Sequence, residues 1–238
     1  MLLETMKYVV ISSNKNPDYE FYLPLVEWAW NRLGWDVIIM YPFNCFPYKE
    51  ETITQCMRLY VASLSELNLL DDDLLMTSDA DMIPLADYWK PNPNEITAYG
   101  HDLTGYQHVP MCYIAMNVAN WKKVMNLTND MNHCMQRDLA DSKALSPNKT
   151  EWWGVDQDII TERLSRHTVT KIDRSIEPNS YLPKGRFDRA SMQYPKTPLI
   201  DFHAPREGWK HFDKIKEVIT KAFGSFPDEL LNMTNGYM

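Results

Sequence analysis

An apolar run that ends in two aspartates constrains the fold of this chain more than any other stretch. Residues 74–78 (LLMTS) have the character of a buried strand and run directly into Asp79, Ala80 and Asp81, after which Pro84 is expected to stop any continuation. In an α/β sheet, ligands bind at the carboxyl ends of the strands. Mg²⁺ and Mn²⁺ favour oxygen ligands and leave positions for substrate phosphates. The pattern therefore predicts a D-x-D site, with Ser78 and Ala80 beside the two acids, that holds a metal–diphosphate.

A second acidic run, Asp71, Asp72 and Asp73, precedes the same strand. Because it comes before the strand, we expect it at the opposite edge of the sheet, in a solvated turn. Chance occurrence of Asp-x-Asp is the plain alternative for both runs. The apolar strand that precedes Asp79 favours the functional interpretation there.

Size and composition exclude several classes of protein. The 238 residues suit one large α/β domain, and strands that alternate with helices in the first third predict a parallel sheet that becomes mixed later. The net charge of −8 argues against a nucleic-acid scaffold. No segment has the ~18 apolar residues of a membrane span, and residues 1–11 lack a signal-peptide pattern. Four cysteines without C-x-x-C or zinc spacing predict free thiols and a cytoplasmic location.

Polar residues at the end of the first predicted strand (8–13) are candidates to meet a ligand. They are Ser12, Ser13 and Asn14. The second predicted helix, 51–67, carries Arg58 among apolar neighbours. An arginine there is usually a surface residue, but it can instead project toward the strand ends and meet a phosphate or the D-x-D carboxylates.

An aromatic and acidic cluster precedes a later predicted helix. It consists of Trp152, Trp153, Gly154, Asp156, Gln157 and Asp158. Acids in a first helical turn are favoured by the backbone dipole, which is the plain explanation. Aromatic faces also stack on sugars, and glycine allows close backbone approach, so the cluster favours recognition of a polyhydroxylated ligand.

A late histidine ends the last predicted strand. His203 is followed by a tight loop with two cations, Arg206 and Lys210. A lone histidine at a strand end is more often structural. Here it can complete a metal site, and either cation can neutralise a leaving diphosphate. The preceding segment, 175–197, lacks periodicity and is expected to wrap over the surface.

The order of these pieces resembles the GT-A glycosyltransferases, and within them the retaining galactosyltransferase and glycogenin-like class. In that class the D-x-D acids and a late histidine hold Mn²⁺, which implies this role for Asp79, Asp81 and His203. The resemblance implies that the D-Q-D motif, residues 156–158, lines the sugar pocket. The class usually has Gly three residues and Lys six residues after its histidine, where this chain has Arg206 and Trp209.

The whole chain also resembles the amino-terminal glycosyltransferase domains of multidomain chlorovirus proteins that build capsid glycans. This implies a GT-A-like single domain with a central, mostly parallel or mixed sheet, a UDP-sugar donor, Mn²⁺ or Mg²⁺, rhamnosyl or glucose-like transfer to a glycan acceptor, a host-cytoplasmic location and further enzyme domains on the full-length chain. It divides the sequence into a nucleotide-binding half (1–100), an acceptor and sugar half (101–223) and a tail or linker (224–238).

Two other functions use similar residues. A nucleotidyltransferase also combines paired acids, a metal and an α/β sheet, but would want a basic, glycine-rich loop near the amino end, where residues 12–17 have one lysine and no glycine. A non-catalytic carbohydrate-binding module would use Trp152 and Trp153 and need no nucleotide.

Overall fold

The fold is built on two β-sheets of unequal size. The structure, a computed structural model, describes residues 5–45, 47–100, 108–142, 153–173 and 183–237. The strands are β1 (Lys7–Ser12), β2 (Asp36–Met40), β3 (Leu74–Thr77), β4 (Met82–Pro84), β5 (Thr97–Gly100), β6 (Ile114–Asn117), β7 (Thr170–Asp173), β8 (Arg186–Asp188) and β9 (Asp201–His203).

The larger sheet has six strands in the order β2-β1-β3-β6-β5-β7. Strand β1 lies parallel to both β2 and β3. Strand β6 is antiparallel to its two neighbours, and β7 is parallel to β5. The prediction of a parallel first third and a mixed sheet overall is confirmed.

The smaller sheet has the order β4-β9-β8 and corrects two predictions. Pro84 was expected to prevent the strand from continuing after the D-x-D motif, yet Met82–Pro84 forms a strand of its own. It lies at the edge of the sheet, where a proline needs no hydrogen-bonded N–H. Part of the segment expected to wrap over the surface, Arg186–Asp188, is also a strand, and its Phe187 is fully buried.

Seven α-helices complete the described part of the chain. They are α1 (Pro17–Glu20), α2 (Leu23–Arg32), α3 (Glu50–Met57), α4 (Val118–Val124), α5 (Met131–Asp141), α6 (Val155–Leu164) and α7 (Phe212–Phe223). The predicted helix 51–67 is α-helical only as far as Met57. It continues as 3₁₀ turns over Arg58–Ser63 and Ser65–Leu67.

The core lies on both faces of the larger sheet. Because side chains alternate along a strand, Val9 and Ile11 of β1 face one layer and Val10 faces the other. The first layer includes apolar residues of α2 and α7, and the second includes those of α3, α4, α5 and α6. The larger sheet is therefore covered on both faces. A ligand can then reach it at the ends of its strands, where the polar side chains lie.

Several smaller predictions concern the rest of the chain. All four cysteines are free. Within the described residues, no helix is long and apolar enough to cross a bilayer. The carboxyl-terminal segment packs back on the domain, where Tyr237 stacks on Trp209 at 5.2 Å between ring centroids. The expectation of a solvated turn at the acidic run before β3 is wrong for Asp73, which is 3 % exposed.

Candidate active site

A cavity of about 430 Å³ opens beyond the carboxyl ends of β1 and β3. Residues from both sheets and from α3 and α6 line it. The predicted site residues on its wall are Ser12, Ser13, Asn14, Arg58, Asp79, Ala80, Asp81, Trp153, Gly154, Asp156, Gln157, His203 and Arg206.

Arg58 joins the two acidic motifs. It begins the 3₁₀ turn that follows α3, is 5 % exposed, and donates to the carbonyl of Ser78 at 2.7 Å. Its guanidinium also contacts the carboxylate of Asp79 and donates to Asp156 Oδ2 at 2.9 Å. Burial alone would lower the pKa of this arginine, but the two carboxylates outweigh burial and raise it. The alternative in which Arg58 meets the D-x-D carboxylates is therefore the one that the structure has.

Asp156 is an acid on the cavity wall whose pKa is strongly raised. It follows Gly154, whose φ of 91° is a backbone conformation that favours glycine. Burial raises the pKa of Asp156 to about 6, although Arg58 opposes the shift. Its Oδ1 accepts from the backbone N–H of Gln157 at 2.9 Å. Both carboxylate oxygens are thus already engaged by the protein.

The small sheet brings Asp81 and His203 together. Met82, next to Asp81, is paired with His203 across β4 and β9. His203 Nε2 lies 3.6 Å from Asp81 Oδ2, and His203 Nδ1 lies 2.9 Å from Asp188 Oδ2. Arg189 Nη1 donates to the same Asp81 Oδ2 at 2.8 Å. The imidazole of His203 therefore lies between the carboxylates of Asp81 and Asp188. The guanidinium of Arg189 contacts the carboxylate of Asp81.

The charges in this group stabilise one another. Burial would lower the pKa of His203, but its hydrogen bonds to Asp188 and Asp81 outweigh burial and raise the pKa to about 9. Burial would raise the pKa of both carboxyl groups, and the hydrogen bond from His203 holds each one below its ordinary value. The acids are therefore ionised and are neutralised by cations of the protein itself.

The metal prediction fits in donor chemistry and only partly in geometry. Within the ranges that the structure describes, no group of three or more His, Cys, Asp or Glu side chains is placed to hold a metal ion. The carboxylate of Asp79 contacts Arg58, whereas Asp81 and His203 already approach each other. Asp188 orients His203 as an outer carboxylate orients a metal-binding imidazole. Two carboxylates and one imidazole suit Mn²⁺, so the three-residue site stays a prediction.

Polar groups at the end of β1 also line the cavity. Ser12 donates from its hydroxyl to the carbonyl of Thr54 at 2.6 Å. The hydroxyl of Ser13 is buried, and within the described residues it has no hydrogen-bond partner. Asn14 lies beside them on the cavity wall. This wall therefore offers one unused hydroxyl and one amide to a ligand.

The structure places some predicted residues away from the cavity. The side chain of Asp158 pairs with His108 at 2.8 Å, and that of Lys210 pairs with Glu207 at 2.7 Å. Ser78 contributes a carbonyl to Arg58 and does not line the cavity. Trp152 lies outside the described residues.

Sequence reasoning missed the contribution of β8. Asp188 and Arg189 lie in a segment without periodicity, and an Asp-Arg pair after one phenylalanine is too weak a signal to single out. Gln55 was also missed. Its Oε1 accepts from the backbone N–H of Gly154 at 2.9 Å and fixes the turn before α6 to α3.

The comparisons with known proteins support the fold. No protein-family model and no curated protein matches the sequence. A solved glycosyltransferase involved in glycosylation of the major capsid of PBCV-1 is similar, with 10 % identity, a TM-score of 0.51 and coverage of 83 % of this chain and 93 % of that one. The chain has the mixed α/β architecture of the GT-A glycosyltransferases.

Two further solved structures have lower scores. The galactosyltransferase LgtC, in complex with donor and acceptor sugar analogs, has 14 % identity, a TM-score of 0.47, and coverage of 95 % of this chain and 99 % of that one. A Drosophila β1,4-galactosyltransferase 7 in complex with manganese, UDP-Gal and xylobiose has 14 % identity, a TM-score of 0.42 and coverage of 70 % of this chain. This chain spans 65 % of the Drosophila chain.

Proposed function

We propose that this protein is a metal-dependent glycosyltransferase that moves a sugar from a UDP-sugar to a glycan acceptor with retention of configuration. The observation that carries the proposal is a single cavity whose wall includes the D-x-D acids, the first two residues of the D-Q-D motif and His203, in a GT-A architecture. These residues are far apart in the sequence. A carbohydrate-binding module has no need to gather them.

The nucleoside end of the donor lies against the end of β1. Ser13 has a buried hydroxyl with no hydrogen-bond partner within the described residues, and such a group is costly unless a ligand completes it. Asn14 adds an amide that can donate and accept. These two side chains are consecutive at the end of β1 and can hydrogen-bond the ribose and base of a nucleotide.

The diphosphate end lies against the acids and Arg206. Asp79, Asp81 and His203 would hold the divalent ion, which supplies Lewis-acid stabilisation of the charge on the leaving UDP. Asp188 keeps His203 Nε2 directed toward Asp81. Arg206 is exposed and lines the cavity, so its guanidinium is accessible to a phosphate.

The sugar end lies between Trp153 and Asp156. Trp153 is 69 % exposed and sits on the rim of the cavity, where its face is free to stack on a sugar ring. Asp156 also lines the cavity, and each of its oxygens has one donor from the protein and a second acceptor position that a sugar hydroxyl can use. Gln157 lines the same cavity and can place its amide oxygen near the anomeric carbon, where positive charge develops.

We favour retention because of how Asp156 is held. An inverting enzyme needs a general base, and the pKa of about 6 would suit one near neutral pH. However, both oxygens of Asp156 already accept hydrogen bonds from Arg58 and Gln157. In retention, the bond from the anomeric carbon to the phosphate oxygen breaks, the acceptor oxygen bonds to that carbon, and the departing phosphate oxygen takes the acceptor proton. No protein base is needed.

The acceptor and the sugar are finer parts of the proposal. We place rhamnose or a glucose-like sugar first among donors and a viral capsid glycan first among acceptors, with further enzyme domains on the full-length chain. The similar solved structure that takes part in PBCV-1 capsid glycosylation supports this order of testing.

A donor panel tests the proposal. We expect Mn²⁺-dependent hydrolysis of one UDP-sugar, with UDP-rhamnose and UDP-glucose tried first, and an NMR spectrum in which the product keeps the anomeric configuration of the donor. Asp79→Asn should abolish turnover. The matched control is Asp72→Asn, which changes an exposed acid at the other end of β3.

Calorimetry separates the alternatives. Metal-dependent UDP binding supports the glycosyltransferase, and a preference for CTP would support a nucleotidyltransferase instead. Glycan binding without any nucleotide binding would reduce the cavity to a carbohydrate-binding module and contradict the proposal.

A further inference from the structure

Two arginines neutralise the D-x-D acids, and the structure holds them with different firmness. The side chain of Arg58 is 6 % exposed and is bonded to a backbone carbonyl and to Asp156 as well as to Asp79. The side chain of Arg189 is 31 % exposed where it meets Asp81. Separation of the Arg58 pair would leave a buried guanidinium, whereas Arg189 can turn to solvent.

Arg189 donates a hydrogen bond to the same oxygen of Asp81 that lies near His203. Asp81 Oδ2 lies 2.8 Å from Arg189 Nη1 and 3.6 Å from His203 Nε2. A cation bound between Asp81 Oδ2 and His203 Nε2 would contact this same oxygen. The guanidinium and a divalent ion therefore compete for one position, because two cations in contact on one oxygen repel each other.

The end of strand β8 positions both Arg189 and the imidazole of His203. Asp188, its last residue, fixes the imidazole of His203 at 2.9 Å. Arg189, the next residue, donates its backbone N–H to the carbonyl of His203 at 2.9 Å, which continues the pairing of β8 with β9. The backbone of Arg189 is thus fixed beside the cavity while its side chain stays partly exposed.

We propose that Arg189 is an internal counter-cation that competes with the divalent ion for Asp81 and sets the metal affinity of the cavity. Without metal, Arg189 keeps the buried carboxylate paired. When the ion binds, the guanidinium is displaced toward solvent, and Asp81 exchanges one cation for another. The inference rests on the metal site of the proposed function, and it adds a residue that weakens metal binding instead of strengthening it.

The test measures metal affinity directly and needs no turnover. Mn²⁺ is titrated into the full chain at about 0.15 M ionic strength, where charges that are not in contact are screened, and free Mn²⁺ is followed by electron paramagnetic resonance. Arg189→Met keeps the apolar stem and removes the charge. We expect Mn²⁺ to bind roughly five- to tenfold more tightly, the range that loss of one partly buried ion pair predicts. Arg189→Lys keeps the positive charge that competes with the ion and should bind Mn²⁺ within about twofold of the wild type.

The matched control is Arg206→Met. Arg206 lines the same cavity and contacts Tyr19 instead of a D-x-D acid. Its replacement by methionine changes the net charge by the same amount as Arg189→Met. We expect an affinity change below about twofold, because a charge without direct contact is screened. Equal tightening in both methionine variants would overturn direct competition in favour of a general field effect.

Other outcomes are also decisive. Unchanged or weaker Mn²⁺ binding in a folded Arg189→Met overturns this inference alone and leaves the proposed function standing. Mn²⁺ binding by neither the wild type nor the variant removes the metal site, and the proposed function fails with it. If Arg189→Met melts below the assay temperature, Arg189→Gln answers the same question with a polar side chain of shorter reach.

Discussion

The two ends of β3 carry the same kind of side chain and hold it in different ways. At the amino end, Asp73 is 3 % exposed and accepts from the backbone N–H groups of Met6 at 3.0 Å and Leu70 at 2.9 Å. At the carboxyl end, Asp79 and Asp81 accept from arginine side chains. Backbone donors cannot leave, whereas a partly exposed side-chain cation such as Arg189 can. At β3, the carboxylate held by the backbone is therefore structural, and the two at the cavity are held by side chains beside an opening that a ligand can enter.

The largest effect should come from the carboxyl end. We expect Asp79→Asn to lower kcat/KM by at least about 100-fold, since it removes a predicted metal ligand, and to lower the free energy of unfolding by less than Asp73→Ala does, since the buried Arg58 keeps a second carboxylate partner in Asp156. Arg58 keeps its bonds to Ser78 and Asp156 in this variant. Initial rates and urea unfolding measure the two quantities. A large loss of stability would erase the distinction between the two ends.

The opposite result is expected at the amino end. Asp73→Ala should lower the free energy of unfolding by about 2 to 4 kcal/mol, because it leaves two backbone N–H groups without an acceptor. The turnover of the folded fraction should not change. Asp72→Ala, an exposed neighbour, is the control and should stay within about 0.5 kcal/mol of the wild type. Urea unfolding followed by circular dichroism checks both variants.

Asp156 gives a pH-dependent version of the comparison. Its pKa is raised to about 6 in the folded protein, so it binds its proton more tightly folded than unfolded. The stability that this group contributes is present below about pH 4 and is lost as the pH rises through 6. Between pH 4 and 7, Asp156→Asn should therefore gain on the order of 2 kcal/mol relative to the wild type.

That relative gain is read from urea unfolding of both proteins at several pH values. The difference between the two proteins isolates Asp156 from the other acids, including Asp81 and Asp188, whose lowered pKa values act in the opposite direction. A constant difference across the pH range would mean that burial does not perturb this carboxyl group.

The smallest effect should be at the rim. Trp153→Ala removes an exposed side chain, so the melting temperature should stay within about 1 °C of the wild type. If Trp153 stacks on a sugar, KM for the sugar-bearing substrate should rise about three- to tenfold, as expected for one aromatic contact of about 1 kcal/mol. Steady-state kinetics measures this, and an unchanged KM removes Trp153 from the sugar subsite.

The sequence was most informative where a local pattern decides the structure. The apolar run before Asp79 and the first predicted strand, 8–13, depend on neighbouring residues, and both strands are present. The acids of the D-Q-D motif show the limit of this reasoning. Asp156 faces the cavity, whereas Asp158 pairs with His108. The sequence spacing does not state which side of the helix the sheet covers.

Long-range pairing accounts for what the sequence could not predict. Arg189 is 108 residues from Asp81, and its position depends on the three residues of β8 joining β9. No periodicity marks a strand that short. The same is true of the edge strand that ends in Pro84, since a proline forbids only the interior of a sheet. Lys210 was chosen for its charge alone, and its position beside Glu207 depends on the loop geometry.

The absence of one side chain decides how the loop after His203 lies. A Cβ at Gly208 would meet the hydroxyl of Tyr22 at 2.2 Å, and Tyr22 is fully buried with that hydroxyl bonded to the carbonyl of Pro205 at 2.5 Å. Any larger residue at position 208 therefore requires a shift of either the Phe21 and Tyr22 rings or the loop that carries Arg206. A substitution at this position can thus disturb Arg206 without replacing any residue on the cavity wall.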